Sequence, residues 1–116
     1  MEADVKELTV NGKTYVLKGS ESRDFSGDVR IVVLQRGWVL VGHYSTKGDY
    51  GYLDGASVIR KWGTDKGLGQ LVDGPVESGP YAPTVLDKCH GRVEFLLSTT
   101  ILMLNCDEYG WKKVCK

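Results

Sequence analysis

At 116 residues the chain has the length of one ordinary domain, too short for a second hydrophobic core. An apolar share of 41% and a charged share of 26% match an average globular protein, which argues against wholesale disorder and against a membrane-embedded chain. Fifteen Lys and Arg balance fifteen Asp and Glu, so no global field steers the molecule toward nucleic acid, anionic lipid or acidic substrates.

The N-terminal MEADVKELTV is acidic at its start and lacks the basic and apolar regions of a secretory signal, so a cytoplasmic place of action is expected. Further along, Leu8-Thr9-Val10 and Lys13 to Leu17 flank Asn11-Gly12, a dipeptide suited to a two-residue hairpin turn because both of its residues tolerate positive φ. Residues 18 to 28, polar apart from Phe25, read as a connecting loop pinned by that phenylalanine. Val29 to Gln35 and Trp38 to Tyr44, separated by Arg36-Gly37, predict a second hairpin at the centre of the fold. The stretch TKGDYG reads as a turn, and Asp54-Gly55 as a further turn or bulge leading into the alternating run Ser57 to Trp62.

That run ends at Gly63 and feeds a glycine-studded loop, with Gly67, Gly69, Gly74 and Pro75 in the next twelve positions. Within it Leu68, Leu71 and Val72 fit a single helical turn whose leucines plug one end of the core. VESGPYAP reads as loop, Thr84-Val85-Leu86 as a short edge strand and DKCHG as a turn. The apolar block from Arg92 to Cys106 fits a buried strand or a buried helix. Its Val, Phe, Thr and Ile residues favour strand, broken in two by a bend near Ser98. Its longest apolar run, Phe95 to Leu104, is far shorter than the ~20 residues of a membrane-spanning helix. The tail DEYGWKKVCK reads as a short final strand or a cover. Together these elements predict a mostly β fold, an antiparallel sandwich or small partly open barrel of about six to eight short strands with at most one short helix. Residues 1–28 form an N-terminal hairpin extension and residues 29–116 the core of a single domain.

Catalytic signatures are absent from this pattern. GTDKGLG lacks the spacing and the Lys-Ser or Lys-Thr of a phosphate-binding P-loop, and no strand–turn–helix unit supports a dinucleotide fingerprint. Cys89, His90, Cys106 and Cys115 have the ligand chemistry of zinc without its paired knuckle spacing, so no metal or other cofactor is expected. Three cysteines, an odd number, suit reduced thiols rather than a disulfide scaffold. Nucleophilic catalysis would have only His43 and His90 to draw on, one in a predicted strand and one beside Cys89 in a turn. The reading is therefore of a non-enzymatic chain. Arg60, Lys61, Trp62 and Lys66, with Tyr50 and Tyr52, are the candidate partner-binding residues, because Trp, Tyr and Arg dominate interface energetics. Nucleic acid is disfavoured as the partner for want of a basic excess.

The stretches VLQRGWVLVGHYS, ASVIRKWGTDKGLGQLVDGP, TVLDKCHGRVEF and NCDEYGW resemble a family of small proteins of unknown function encoded by tailed bacteriophages and prophages. VIRKWGTDKGLGQL carries the most specific part of the likeness, which spans roughly residues 29 to 111. This resemblance implies a viral origin and a bacterial host cytoplasm, and supplies no catalytic residue. The expected function is a phage accessory protein that binds a host or viral macromolecule, for example to inhibit a host or defence protein. The alternative is a virion component, a head decoration or tail accessory protein.

Overall fold

The computed structural model describes residues 25–116 in full and, before them, two strands, β1 (Glu7–Val10) and β2 (Lys13–Val16). These pair antiparallel as a sheet of their own, Val10 opposite Lys13 and Glu7 opposite Val16. The Asn11-Gly12 turn and most of the 18–28 connection lie outside the described residues.

Six strands make the main sheet: β3 (Val29–Leu34), β4 (Trp38–Lys47), β5 (Tyr50–Lys61), β6 (Val85–Lys88), β7 (Val93–Leu96) and β8 (Thr100–Asn105). All pairings are antiparallel, in the order β6-β5-β4-β3-β8, with β7 also beside β5. β6 takes the Ser57–Lys61 end of β5 and β7 the Tyr50–Leu53 end, so the two are halves of one interrupted edge. The β3–β4 hairpin turns through Gln35–Gly37, where Arg36 takes φ +70, and the β4–β5 hairpin turns at Gly48, φ +61, before Asp49. Gly in the first central position gives the primed turn whose twist matches its flanking strands. The apolar block at the C-terminal side is strand, as its β-branched content predicts, and the bend at Ser98 is a 3₁₀ turn over Leu97–Thr99.

That turn dictates the shape of the sheet. Leu96 pairs with Tyr50, next to Lys47 at one end of β4, whereas Thr100 pairs with Leu34, next to Trp38 at the other end. In a flat sheet these points would lie about four strand spacings, roughly 19 Å, apart sideways and roughly 30 Å apart lengthwise. The link between them is three residues long and reaches at most about 14 Å. The sheet therefore curls into a partly open barrel.

Two apolar clusters follow from this curl. Val32, Leu34, Leu40, Leu53, Ala56 and Phe95 come from strands alone and fill the concave side, joined by Tyr44, Leu97 and Met103. On the convex side Val29, Ile31, Val39, Val41 and Ile59 are covered by Leu71, Trp111 and Cys115. With both faces buried, β3 reads as a nearly continuous apolar run rather than an alternating one. The glycine-studded loop is thus a plug: its 3₁₀ segment Leu68–Asp73 sets Leu71, fully buried, on the sheet. The tail covers the same face in turns, not as a strand. Its Cys106 and Asp107 amides donate to the Val29 and Val72 carbonyls, and the buried Trp111 Nε1 donates to the Leu71 carbonyl at 2.8 Å. One indole thus locks plug to tail.

Trp111→Ala is expected to destabilise the domain by about 3–5 kcal/mol, because it opens a cavity and orphans the Leu71 carbonyl. Trp111→Phe, which refills most of the volume and loses the hydrogen bond, should cost about 1–3 kcal/mol. Urea unfolding followed by circular dichroism measures both.

Candidate functional site

The middle of β5 departs from regular pairing. Register steps from Val41–Ser57 to His43–Asp54, so Gly55 and Ala56 together stand opposite Gly42. Gly55 has φ +62, the left-handed conformation of a glycine bulge. A Cβ at Gly55 would lie 2.9 Å from the Cys115 carbonyl carbon, 3.0 Å from the Lys116 main-chain oxygen and 3.0 Å from the Phe25 ring. The bulge is therefore where the tail and Phe25 close onto the sheet. On the other edge of β5 the link Cys89–Arg92 separates β6 from β7, held by Cys89 N–H to the Ala56 carbonyl at 2.9 Å. Bulge and link leave between them a cleft of about 310 Å³, lined on its sides by Phe25, Gly55, Lys88, Lys116 and the link itself.

Two side chains hold this region together. Lys88 Nζ donates to the main-chain oxygens of Val114 at 2.8 Å, Gly55 at 3.1 Å and Lys116 at 3.3 Å, which uses all the donors of an ammonium. His43 Nδ1 lies 2.7 Å from the Gly27 carbonyl and Nε2 2.9 Å from that of Cys115. A ring protonated on both nitrogens donates to both oxygens, and a neutral ring to one only. The Phe25 ring packs against it at 5.4 Å. Both groups clamp the tail to the strands.

Beyond the clamps no described residue covers the convex face. Asp54 and Tyr52 follow Gly55 toward the start of β5, and Arg92 lies over them: its guanidinium sits 4.3 Å from the Tyr52 ring centre and its Nε donates to Asp54 Oδ1 at 3.1 Å. Its Nη2 reaches Ser45 Oγ, on the neighbouring strand, at 3.5 Å. Next along the face Tyr50 and Leu96 are directly opposite one another and exposed, 41% and 44%. The result is a rigid strip of Arg92, Tyr52, Tyr50 and Leu96 that no described residue covers.

The residues nominated from the sequence fall into two groups. Tyr50 and Tyr52 belong to this strip. Arg60, Lys61 and Trp62 lie at the far end of the twelve-residue β5, about 33 Å away along the strand. There Arg60 Nε is committed to Asp87 Oδ2 at 2.9 Å on the surface, and the Trp62 carbonyl accepts from Thr84 Oγ1 at 2.7 Å. Trp62 is 41% exposed, and Lys61 and Lys66 are exposed. The Lys66 amide is tied down by Gln70 Oε1 at 2.9 Å. Sequence reasoning missed Arg92, Leu96 and Lys88, whose partners lie 26 to 47 residues away in the chain and leave no local pattern.

Cys89 and His90 line the cleft, whereas Cys106 and Cys115 belong to the convex cluster. Burial pushes the Cys106 thiol up to about 11, against a smaller lowering by a main-chain hydrogen bond with Ile31. It pushes Cys115 up to about 12, with the Lys88 charge lowering it by less. Neither is a ready thiolate. Among the described residues no three His, Cys, Asp or Glu side chains are placed to hold a metal ion. Comparison with protein-family models, with curated proteins and with solved structures finds no match.

Gly55→Ala is expected to cost about 2–4 kcal/mol, combining left-handed strain with displacement of the tail. Gly48→Ala, at nearly the same φ but with open space around it, should cost about 1 kcal/mol. Thermal unfolding of the pair separates the two contributions. The raised thiols also set an alkaline limit. Unfolded cysteines ionise near 9.0 and the folded ones only near 11 and 12, so their contribution to stability is complete below pH 9 and is lost as pH rises through that window. A Cys106→Ala, Cys115→Ala double variant should show a shallower fall in urea midpoint between pH 9 and pH 11 than the parent.

Proposed function

We propose that the protein is a non-enzymatic accessory protein of a tailed phage or prophage. It acts in the bacterial host cytoplasm by binding a host or phage protein, and blocks a host or defence protein. The observation that carries this reading is the bare strip of Arg92, Tyr52, Tyr50 and Leu96. Tyr and Arg are the side chains that most often supply interface energy, and here the tyrosines stand on a paired strand with Arg92 directly before its partner strand β7. Arg92 is already oriented by the Tyr52 ring, by Asp54 and by Ser45, so a partner would spend little entropy fixing it. At the opposite end of β5, Arg60 is likewise ion-paired, to Asp87, but among the described residues no aromatic ring lies beneath its guanidinium, which makes that end the weaker candidate.

A second reading, a virion component, is favoured by β8. It closes one end of the strand order, and its sequence TILMLN carries neither charge nor proline. Ile101 and Leu102 on it are 61% and 43% exposed. An apolar edge strand without such protection is a template for pairing with another chain.

Tagged protein captured from infected bacterial lysate, with purified virions assayed in parallel, decides between them. The binding reading expects one host protein in stoichiometric amount and none of this chain in particles. With the recovered partner, a Tyr50→Ala, Leu96→Ser variant should bind about 30-fold or more weakly, the scale of a lost hot spot, and Trp62→Ala should bind as the parent does. Recovery of head or tail proteins together with the chain in virions would sink it in favour of the structural reading.

A further inference from the structure

The bare strip runs into the cleft beside Gly55, and the two share Arg92. We propose that this cleft receives a single oxyanion, a carboxylate or a phosphate, carried on an acidic peptide segment of the protein partner whose apolar side chains lie along Tyr52, Tyr50 and Leu96. The inference rests on the binding function proposed above and names the chemistry that the partner presents.

Charge is the first argument. Lys88, Arg92 and Lys116 line the cleft, with the His90 ring beside them, against one side-chain carboxylate, Asp54, which Arg92 engages at 3.1 Å, and Glu94, opposite Tyr52, stands on the strip outside the cleft. The chain as a whole carries equal numbers of acidic and basic residues, so this is a local concentration and not the edge of a basic protein. A concave wall focuses such a field more strongly than a convex one.

Preorganisation is the second. Lys88 cannot swing away, because Gly55, Val114 and Lys116 oxygens take its donors and hold its charge at the cleft wall. It acts as a fixed positive point in a site whose remaining donors come from its neighbours. Those neighbours include main chain. The Cys89–Arg92 link is tied to β5 by the Cys89 amide, and among the described residues the His90 and Gly91 amides have no main-chain acceptor. Around Gly91 there is open space where a Cβ would stand, so an anion can approach the backbone closely. A volume of about 310 Å³ admits one carboxylate or phosphate group with its shell, and lies at the small end of ligand sites.

The test is an amide chemical-shift titration of the full chain with four probes: a short apolar peptide bearing a central Glu, the same peptide with phosphoserine there, the same peptide with Gln there, and inorganic phosphate. Expected are saturable shifts of the Cys89–Arg92 amides with one or both anionic peptides, none with the Gln peptide, and weakening with added salt. His90→Glu with Lys116→Glu should weaken binding about tenfold, the scale of close charge pairs, and the milder His90→Gln and Lys116→Gln variants should weaken it in the same order if the reversals perturb folding. Equal binding of the Gln peptide, undiminished binding by these variants, or shifts with inorganic phosphate and neither peptide would overturn the proposal. Capture of the lysate partner that depends on Tyr50 and Leu96 but not on His90 or Lys116 would overturn it too, while leaving the binding function in place.

Discussion

Three residues govern the architecture. Because Leu97–Thr99 must carry the chain from the Lys47 end of β4 to its Trp38 end, the sheet has to coil, and everything else follows from the coil. The concave face becomes a closed interior that strands alone can fill. The convex face is left with a row of valines and isoleucines that no strand can cover, so the long excursion between β5 and β6 and the residues after β8 are recruited as a lid. Curvature creates the apolar surface, and the plug and tail remove it from water.

That lid stops short of the Tyr50 end of β5, and the bulge marks its limit. At Gly55 the backbone turns left-handed just where the tail reaches the sheet, and Lys88 and His43 fasten the tail there through main-chain oxygens rather than through acidic partners. An ammonium such as that of Lys88 suits this task because irregular turns present carbonyls without partners. On one side of the line, burial is complete enough to push two thiols well above their ordinary range. On the other, Tyr50 and Leu96 stand in solvent. The boundary between structure and candidate function is one residue wide.

Much of the fold was legible because it is locally encoded. Arg36-Gly37 between β-branched runs announced the β3–β4 hairpin, Asp54-Gly55 announced an irregularity that proved to be a bulge, and Ser98 divided the last apolar block into two strands. Leu68 and Leu71 were legible as a plug from their spacing, and the mostly β fold from the density of short strands. What stayed hidden was pairing at a distance. Alternation set out the run that carries Arg60 and Trp62, but alternation says nothing about the length of the strand that separates them from Tyr50 and Tyr52 or about Arg92 arriving from the link before β7. The candidate surface is assembled from β5, β7 and the link before β7, and no window of sequence contains it.

Loops held by a rigid scaffold usually carry function, and by that rule the glycine-studded loop would be the place to look. Here the rule inverts for a physical reason. Its leucines are needed on the convex face, the Leu71 carbonyl is bonded to a buried indole, and the Asp65 and Lys66 amides are held by Gln70. A loop so committed cannot reshape itself around a partner without exposing the core it covers. The strands, whose backbone groups are already paired, can expose Tyr50, Tyr52 and Leu96 at no structural cost, with Arg92 beside them, and the bulge supplies a recess that a flat strand surface lacks. In this chain the loop covers the core, and the sheet presents the candidate surface proposed above.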